Sequence, residues 1–246
     1  MYGLLLETKI RIMKKILLTV ILAASIIFGA AAQNKLDDNT LAIAVEKPSG
    51  IENENASIQV ENNLKQALVL NGLSATESRF TTVTNAALLS KKVTATAPAK
   101  YITELEVSIF IVDLYTGVMF GQTSFNVKGV GNNEGESYID ATQKINSRNP
   151  KLRTMIRGAK ESIAEYFNSH SEEIMGRIDA YMKAEDYRSA AIEIYAIPMI
   201  CRDLYNMASE RIAYIPADVL SKINFEIISG HFYKGSKEDR IKNILK

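Results

Sequence analysis

The chain has 246 residues, with 29 Lys and Arg against 28 Asp and Glu, a net charge of +1, and 47% hydrophobic residues. It has one Cys, two His and no Trp. The charge balance offers no basic footprint for nucleic acid. One Cys and two His exclude a disulfide framework and an ordinary structural zinc site, and give no reason to expect a cofactor.

The first informative segment is Met13–Gln33, MKKILLTVILAASIIFGAAAQ. Met13-Lys14-Lys15 is a basic start, Ile16–Phe28 is an uncharged apolar core, and Ala30-Ala31-Ala32 is an A-x-A site. This is the pattern of an export signal cleaved after Ala32. Thirteen residues at ~1.5 Å rise make about 20 Å, short of the ~30 Å of a bilayer core. No membrane span is therefore expected after cleavage, and no Cys stands at the site for a lipid anchor. Met13 reads as the natural start, with 1–12 preceding it through a mis-called initiation codon. Cleavage removes four basic residues and Glu7, so the mature product carries a net charge of −2. The expected location is the periplasm or the outer-membrane periphery.

Leu41–Val45 reads as a short buried strand closed by Lys47-Pro48-Ser49-Gly50. Asn53–Ser57 offers N-cap choices for a helix whose apolar side is Ile58, Val60, Leu64, Ala67 and Leu68, and Asn71-Gly72 stops it. Phe80–Thr84 is β-branched and aromatic, hence a strand. Residues 85–100 are divided between a helical turn at Ala86–Leu89 and a short edge strand at 93–96 before Pro98. Leu105, Val107, Ile109 and Ile111 alternate as one face of a strand. Asp113–Gly117 is then a hairpin turn and Val118–Val127 the return strand. Gly129–Gly135 reads as a loop, Ser137–Ile145 as a helix, and residues 151–168 as a longer amphipathic helix.

From Glu172 onward helices alone are expected. Ile174, Ile178, Tyr181 and Met182 stripe one helix, Glu185-Asp186 makes a corner, and Tyr187–Tyr195 forms the next, ended by Pro198. Met199–Ile212 reads as a third helix, Phe225–Ile228 as a strand and 237–246 as a basic terminal helix. The expected fold class is α+β: an α/β sandwich-like domain with a β-hairpin over 33–168, an all-helical hairpin over 169–212, and a tail over 213–246.

Two family resemblances sit on these pieces. The Leu41–Val45 strand and its helix, the hairpin turn "VDLYTG" and the passage "KGVGNNEGESYIDA" resemble the small periplasmic α/β domain of the curli-secretion channel family. Its relatives include penicillin-binding-protein activator lipoproteins and flagellar outer-membrane accessory proteins. Residues 172–212, with Tyr187 and Ala190 in "EDYRSAAIEIYAIP", resemble a tetratricopeptide-type hairpin, although an acidic residue stands where that pattern wants Gly. The combination resembles a group of exported bacterial proteins, phage-encoded ones among them. The resemblance implies an envelope role and no particular activity.

The chemistry-bearing residues weigh toward contact rather than catalysis. Gly129-Val-Gly131-Asn-Asn-Glu134-Gly135 lies between a strand and a helix, where a phosphate loop would lie, but lacks Lys-Ser/Thr and carries Glu134. Cys201 sits among Met199, Ile200 and Leu204 and reads as a buried thiol. Asp37-Asp38, Glu52/Glu54 and Glu172-Glu173 fall at loops or helix starts, where solvent and the helix dipole account for them. Tyr181, Tyr187, Tyr195 and Tyr205 on the C-terminal helices are the candidate partner-binding residues, set against a packing role. The expected function is a non-enzymatic accessory or scaffold protein that makes protein–protein contacts in cell-envelope or surface-structure assembly. The alternatives are an envelope-glycan hydrolase with two carboxylates ~5–9.5 Å apart in a cleft, and a small-ligand binder beside the Gly129–Gly135 loop.

Overall fold

The computed structural model describes residues 41–232 and 235–244. The export signal and Asp37-Asp38 lie outside the described residues. The chain folds as an α+β protein. Four strands, β1 (Ala44–Val45), β2 (Phe80–Val93), β3 (Tyr101–Asp113) and β4 (Met119–Gly131), form one sheet in the order β1-β2-β3-β4. β1 runs parallel to β2, while β2, β3 and β4 form an antiparallel meander.

The helix between β1 and β2 is α1 (Glu54–Leu70), capped by the Asn53 side chain, which accepts from the Ala56 N–H at 3.0 Å. It ends at Asn71-Gly72, where the Leu73 N–H returns to the Leu68 carbonyl at 2.9 Å. Beyond β1 the chain stays beside β2, since the N–H groups of Glu46 and Ser49 donate to the carbonyls of Thr82 and Thr84 at 3.1 and 2.9 Å.

Residues 85–100 hold no helical turn. β2 continues to Val93, with one register shift between Leu88 and Ser90, because its backbone finds partners along β3 from Asn85↔Ser108 to Val93↔Tyr101. The Asn85–Val93 stretch, NAALLSKKV, has helix-forming composition, and the cross-strand ladder overrides it. At the Asp113–Gly117 turn, the Asp113 N–H donates to the Val118 carbonyl at 2.9 Å, and Gly117 takes φ +77°.

One face of the sheet carries Leu105, Val107, Ile109 and Ile111, all fully buried. They pack against α1, α2 (Glu134–Thr142) and α3 (Pro150–Ser169). α3 places Pro150 in its first turn and buries Leu152, Met155, Ile156, Ala159, Ile163 and Phe167 along one stripe. Burial of such side chains stabilises by roughly 1.5–3 kcal/mol for each large one.

The same core runs on into the C-terminal helices α4 (Ser171–Lys183), α5 (Tyr187–Tyr195) and α6 (Arg202–Ser209). Met199–Ile212 is not one helix. α6 begins at Arg202 and gives way to a 3₁₀ segment, Glu210–Tyr214. Three further helices follow: α7 (Ala217–Leu220), α8 (Phe225–Phe232) and α9 (Lys237–Ile244). Phe225–Ile228 is therefore helical rather than extended. Ile228 joins Val83, Val112, Leu114, Tyr115, Ile192 and Ala196 in a second apolar cluster on the other face of the sheet.

Candidate functional site

The Gly129–Gly135 segment is not a loop. Gly129 and Gly131 belong to β4, and α2 lies directly against them. A Cβ at Gly129 would fall 1.9 Å from the Ser137 carbonyl oxygen, and one at Gly131 2.5 Å from the Ser137 nitrogen. The glycines are there for the close approach of helix to strand. The corner after them satisfies itself. Asn133 caps α2 by accepting from the Glu136 N–H at 2.9 Å, and the Glu136 carboxylate accepts from the Asn132 N–H at 2.8 Å. The backbone hydrogen bond from Asn132 is the first cause that holds the Glu136 carboxyl below the usual range.

Beside this corner Lys91 Nζ lies 3.1 Å from Glu52 Oε2 and 2.5 Å from Glu134 Oε1, and the Tyr138 hydroxyl donates to Glu52 at 2.9 Å. The hydrogen bond to Glu134 is the first cause that raises the lysine pKa, while the lysine lowers that of Glu52. Two carboxylates thus meet on a lysine at the surface. That arrangement neutralises charge and leaves no anion-binding cradle. Glu54 pairs with Lys47 at 2.8 Å, and Glu173 with Arg177 at 2.8 Å.

His170, His231 and Cys201 do not assemble. His170 packs on the Tyr166 ring at 4.3 Å, while His231 meets Tyr181 at 6.5 Å and Phe232 at 5.2 Å. Cys201 is buried, and burial pushes its thiol up to about 11, against a smaller opposing effect of the Arg79 charge. Among the described residues no group of His, Cys, Asp and Glu could hold a metal ion, and no helix is long and apolar enough to cross a membrane.

The four candidate tyrosines are all half-buried. Tyr181, Tyr187, Tyr195 and Tyr205 pack against the main core, and Tyr195 reaches the second cluster as well. Burial, with Tyr205 nearby, raises the Tyr195 phenol pKa. Their rings serve packing first.

On the C-terminal helices an exposed apolar surface lies one layer further out. Tyr214 is 76% exposed and Met207 51%, both at the end of α6 and in the 3₁₀ segment. Met182, Glu210, Arg211, Ala213 and Tyr214 line an open cleft of about 680 Å³ between α4 and this segment. Arg211 is fixed at its rim by Asp179, with Nε 3.0 Å from Oδ1. A second hollow, of about 550 Å³, is lined by Asp186, Arg188, Ser189, Ile192, Ile227, Gly230 and His231. Each cavity carries a single carboxylate, so neither holds the pair a glycosidase needs. Sequence reading found Met182 as part of a stripe and missed Tyr214 and Met207. The segment Met199–Ile212 reads as one helix in sequence, and the 3₁₀ segment that exposes Tyr214 has no mark there.

No protein-family model matches the chain, and no curated protein matches it in sequence. Several solved structures are similar over about half of the chain. The PelC dodecamer from Paraburkholderia phytofirmans is 12% identical, with 53% of this chain and 94% of that one covered, at a TM-score of 0.30. A minor lipoprotein from Acinetobacter baumannii is 15% identical over 45% of this chain and 90% of that one, at a TM-score of 0.29. A homolog of the neuraminyllactose-binding hemagglutinin from Helicobacter pylori is 11% identical over 58% and 96%, at a TM-score of 0.30.

Proposed function

We propose that this chain is a non-enzymatic accessory or scaffold protein of the cell envelope, which engages a protein partner through its C-terminal helices. The observation that carries the reading is the pairing of Tyr214 and Met207, both largely exposed, with the open cleft beside them. An aromatic ring and a flexible thioether at the surface suit an apolar anchor from a partner segment. The sequence resemblance of the α4–α5 region to a tetratricopeptide-type hairpin, that of the α/β body to small periplasmic domains, and the export-signal pattern of Met13–Gln33 support the same reading.

The test is photo-crosslinking in cells with the probe amino acid at Met207. A discrete adduct with one envelope protein, lost when Tyr214 is changed to Ala, is the expected outcome. Absence of any adduct from a correctly exported chain would remove the docking role.

The hollow between α5 and α8 favours a second reading, a small anionic or zwitterionic ligand held by Arg188, His231 and Asp186. A thermal-shift screen with anionic and sugar ligands against an Arg188→Ala variant separates it from the first.

A further inference from the structure

The unused backbone of this fold lies along β4. Among the described residues β4 is the last strand of the sheet on its side, whereas the opposite edge is covered: the Ile43 N–H donates to the Leu73 carbonyl at 2.6 Å, and the Ala75 N–H to that of Ile43 at 3.1 Å.

The orientation of β4 is fixed by two clips on its outer edge. The Val130 N–H donates to Asp140 Oδ2 at 2.9 Å, and Lys144 Nζ donates to the Lys128 carbonyl. Even-numbered residues therefore turn their backbone groups outward, while odd-numbered ones face the β3 ladder. The clips stop at Lys128. No hydrogen bond among the described residues reaches the outward groups of Gln122, Ser124 or Asn126.

Edge strands of soluble proteins usually carry charge, Pro or a bulge where they are open. Met119–Val127, MFGQTSFNV, has neither charge nor Pro, and its one irregularity lies at the far end, between Met119 and Gly121.

We infer that this edge pairs with the same edge of a second copy, antiparallel about a two-fold axis at Ser124, to make one continuous eight-stranded sheet. The chemistry selects a second copy over a foreign strand. An isologous contact needs a patch that complements itself, and in this register Ser124 faces Ser124 of the second copy while Gln122 faces Asn126, side chains that each donate and accept. The nearby cations are already committed: Lys128 to Glu104 at 2.8 Å, Lys144 to the edge itself, and Lys151 over the Phe125 ring at 5.9 Å. An acidic strand would find no free cation among these three, and a second copy opposes no like charges at the centre. The inference stands apart from the docking surface of α6, which lies on the C-terminal helices.

The experiment uses the mature chain in sedimentation equilibrium, with Ser124→Pro and Ser124→Cys as variants. The wild-type chain is expected to be a dimer. Ser124→Pro removes only an outward N–H, a position where Pro is tolerated, and should give a monomer with an unchanged circular-dichroism spectrum. Ser124→Cys should form a covalent dimer on mild oxidation, because an antiparallel hydrogen-bonded pair sits ~5.5 Å apart at Cα, within disulfide reach. Neither the wild-type chain, whose Cys201 is buried, nor a Ser221→Cys control should do so. A monomeric wild-type chain overturns the inference, as does a dimer that survives Ser124→Pro without Ser124→Cys crosslinking. Should Ser124→Pro fail to fold, the crosslink decides alone. Loss of dimer with α6 crosslinking intact would separate this failure from that of the docking role.

Discussion

Arg79 and Asp113 form a two-pronged ion pair inside the protein, with Nε 3.1 Å from Oδ1 and Nη2 2.5 Å from Oδ2. Asp113 is fully buried and also accepts from the Tyr115 N–H and the Thr116 hydroxyl, each at 2.9 Å. Arg79 donates its remaining prong to the Ala196 carbonyl at 2.8 Å, and its guanidinium lies within 4.6–5.8 Å of the rings of Phe80, Tyr115, Phe167 and Phe232. One cation thus ties β2, β3, α3, α5 and α8 together. Removing either partner leaves the other as a buried unpaired charge. Arg79→Ala and Asp113→Ala should each destabilise by about 3–5 kcal/mol. Urea denaturation of both single variants and the double variant would measure this, with a coupling between the two sites as the expected sign of direct pairing.

Gly129→Ala should be among the most damaging small substitutions in the sheet. The added Cβ meets the backbone of α2, which cannot step aside as a side-chain tip could. A cost of about 3 kcal/mol is expected, whereas Gly158→Ala, in the interior of α3 with nothing within 4 Å of the added Cβ, should stabilise by up to about 1 kcal/mol. Thermal melts of the two variants side by side give the comparison.

Cys201 should be silent to thiol reagents in the native state and react on unfolding, since its thiol pKa is pushed to about 11 from the ordinary 9.0. The sign for stability follows from the raised value. The folded state holds the thiol proton more tightly than the unfolded chain, so this contribution is complete below about pH 9 and is lost as pH rises through about 11. Urea midpoints of wild type and Cys201→Ala between these limits would check it, with the steeper alkaline decline expected in wild type.

The tyrosines separate into two kinds of variant. Tyr195→Ala should cost about 2–3 kcal/mol, because the ring spans both apolar clusters. Tyr214→Ala should change stability by less than about 0.5 kcal/mol, while abolishing any capture through the α6 surface. Denaturation midpoints together with crosslinking yield would distinguish them.

The sequence made some of this legible and hid the rest for physical reasons. α3 could be read almost to its ends, because its apolar stripe repeats every three to four residues and Asn149-Pro150 marks its start. The β3–β4 hairpin was equally plain from alternation and from Asp113–Gly117. The upper half of β2 was not, because its residues prefer helix locally and extend only when β3 supplies a ladder. Phe225–Ile228 failed in the reverse direction: its β-branched run suggests a strand, and packing of Ile228 onto the second cluster makes it helical. Gly129 and Gly131 carried a loop signature that is in truth a close-packing signature. The Arg79–Asp113 pair joins residues 34 positions apart, and no local pattern announces it. Of the candidate site, the four tyrosines were found by spacing, but spacing marks the buried side of a helix. The exposed surface at Tyr214 and Met207 depends on where α6 stops.

The attachment of α9 has a consequence for the order in which the fold opens. None of its residues is buried, and it is held by Arg240 on the carbonyls of Leu114 and Tyr115 and by Lys237 on Glu46. These anchors lie just beyond β1 and β3, and the partly buried Ile241 and Ile244 rest on the second cluster, with Ile244 beside the Gly117 turn. Its amides will exchange with solvent on a faster timescale than those of β3, through a sub-global opening that leaves the meander intact. Among the described helices and strands, this opening uncovers part of the second apolar cluster, and a protease cut within Lys237–Ile244 is expected before any cut in the meander.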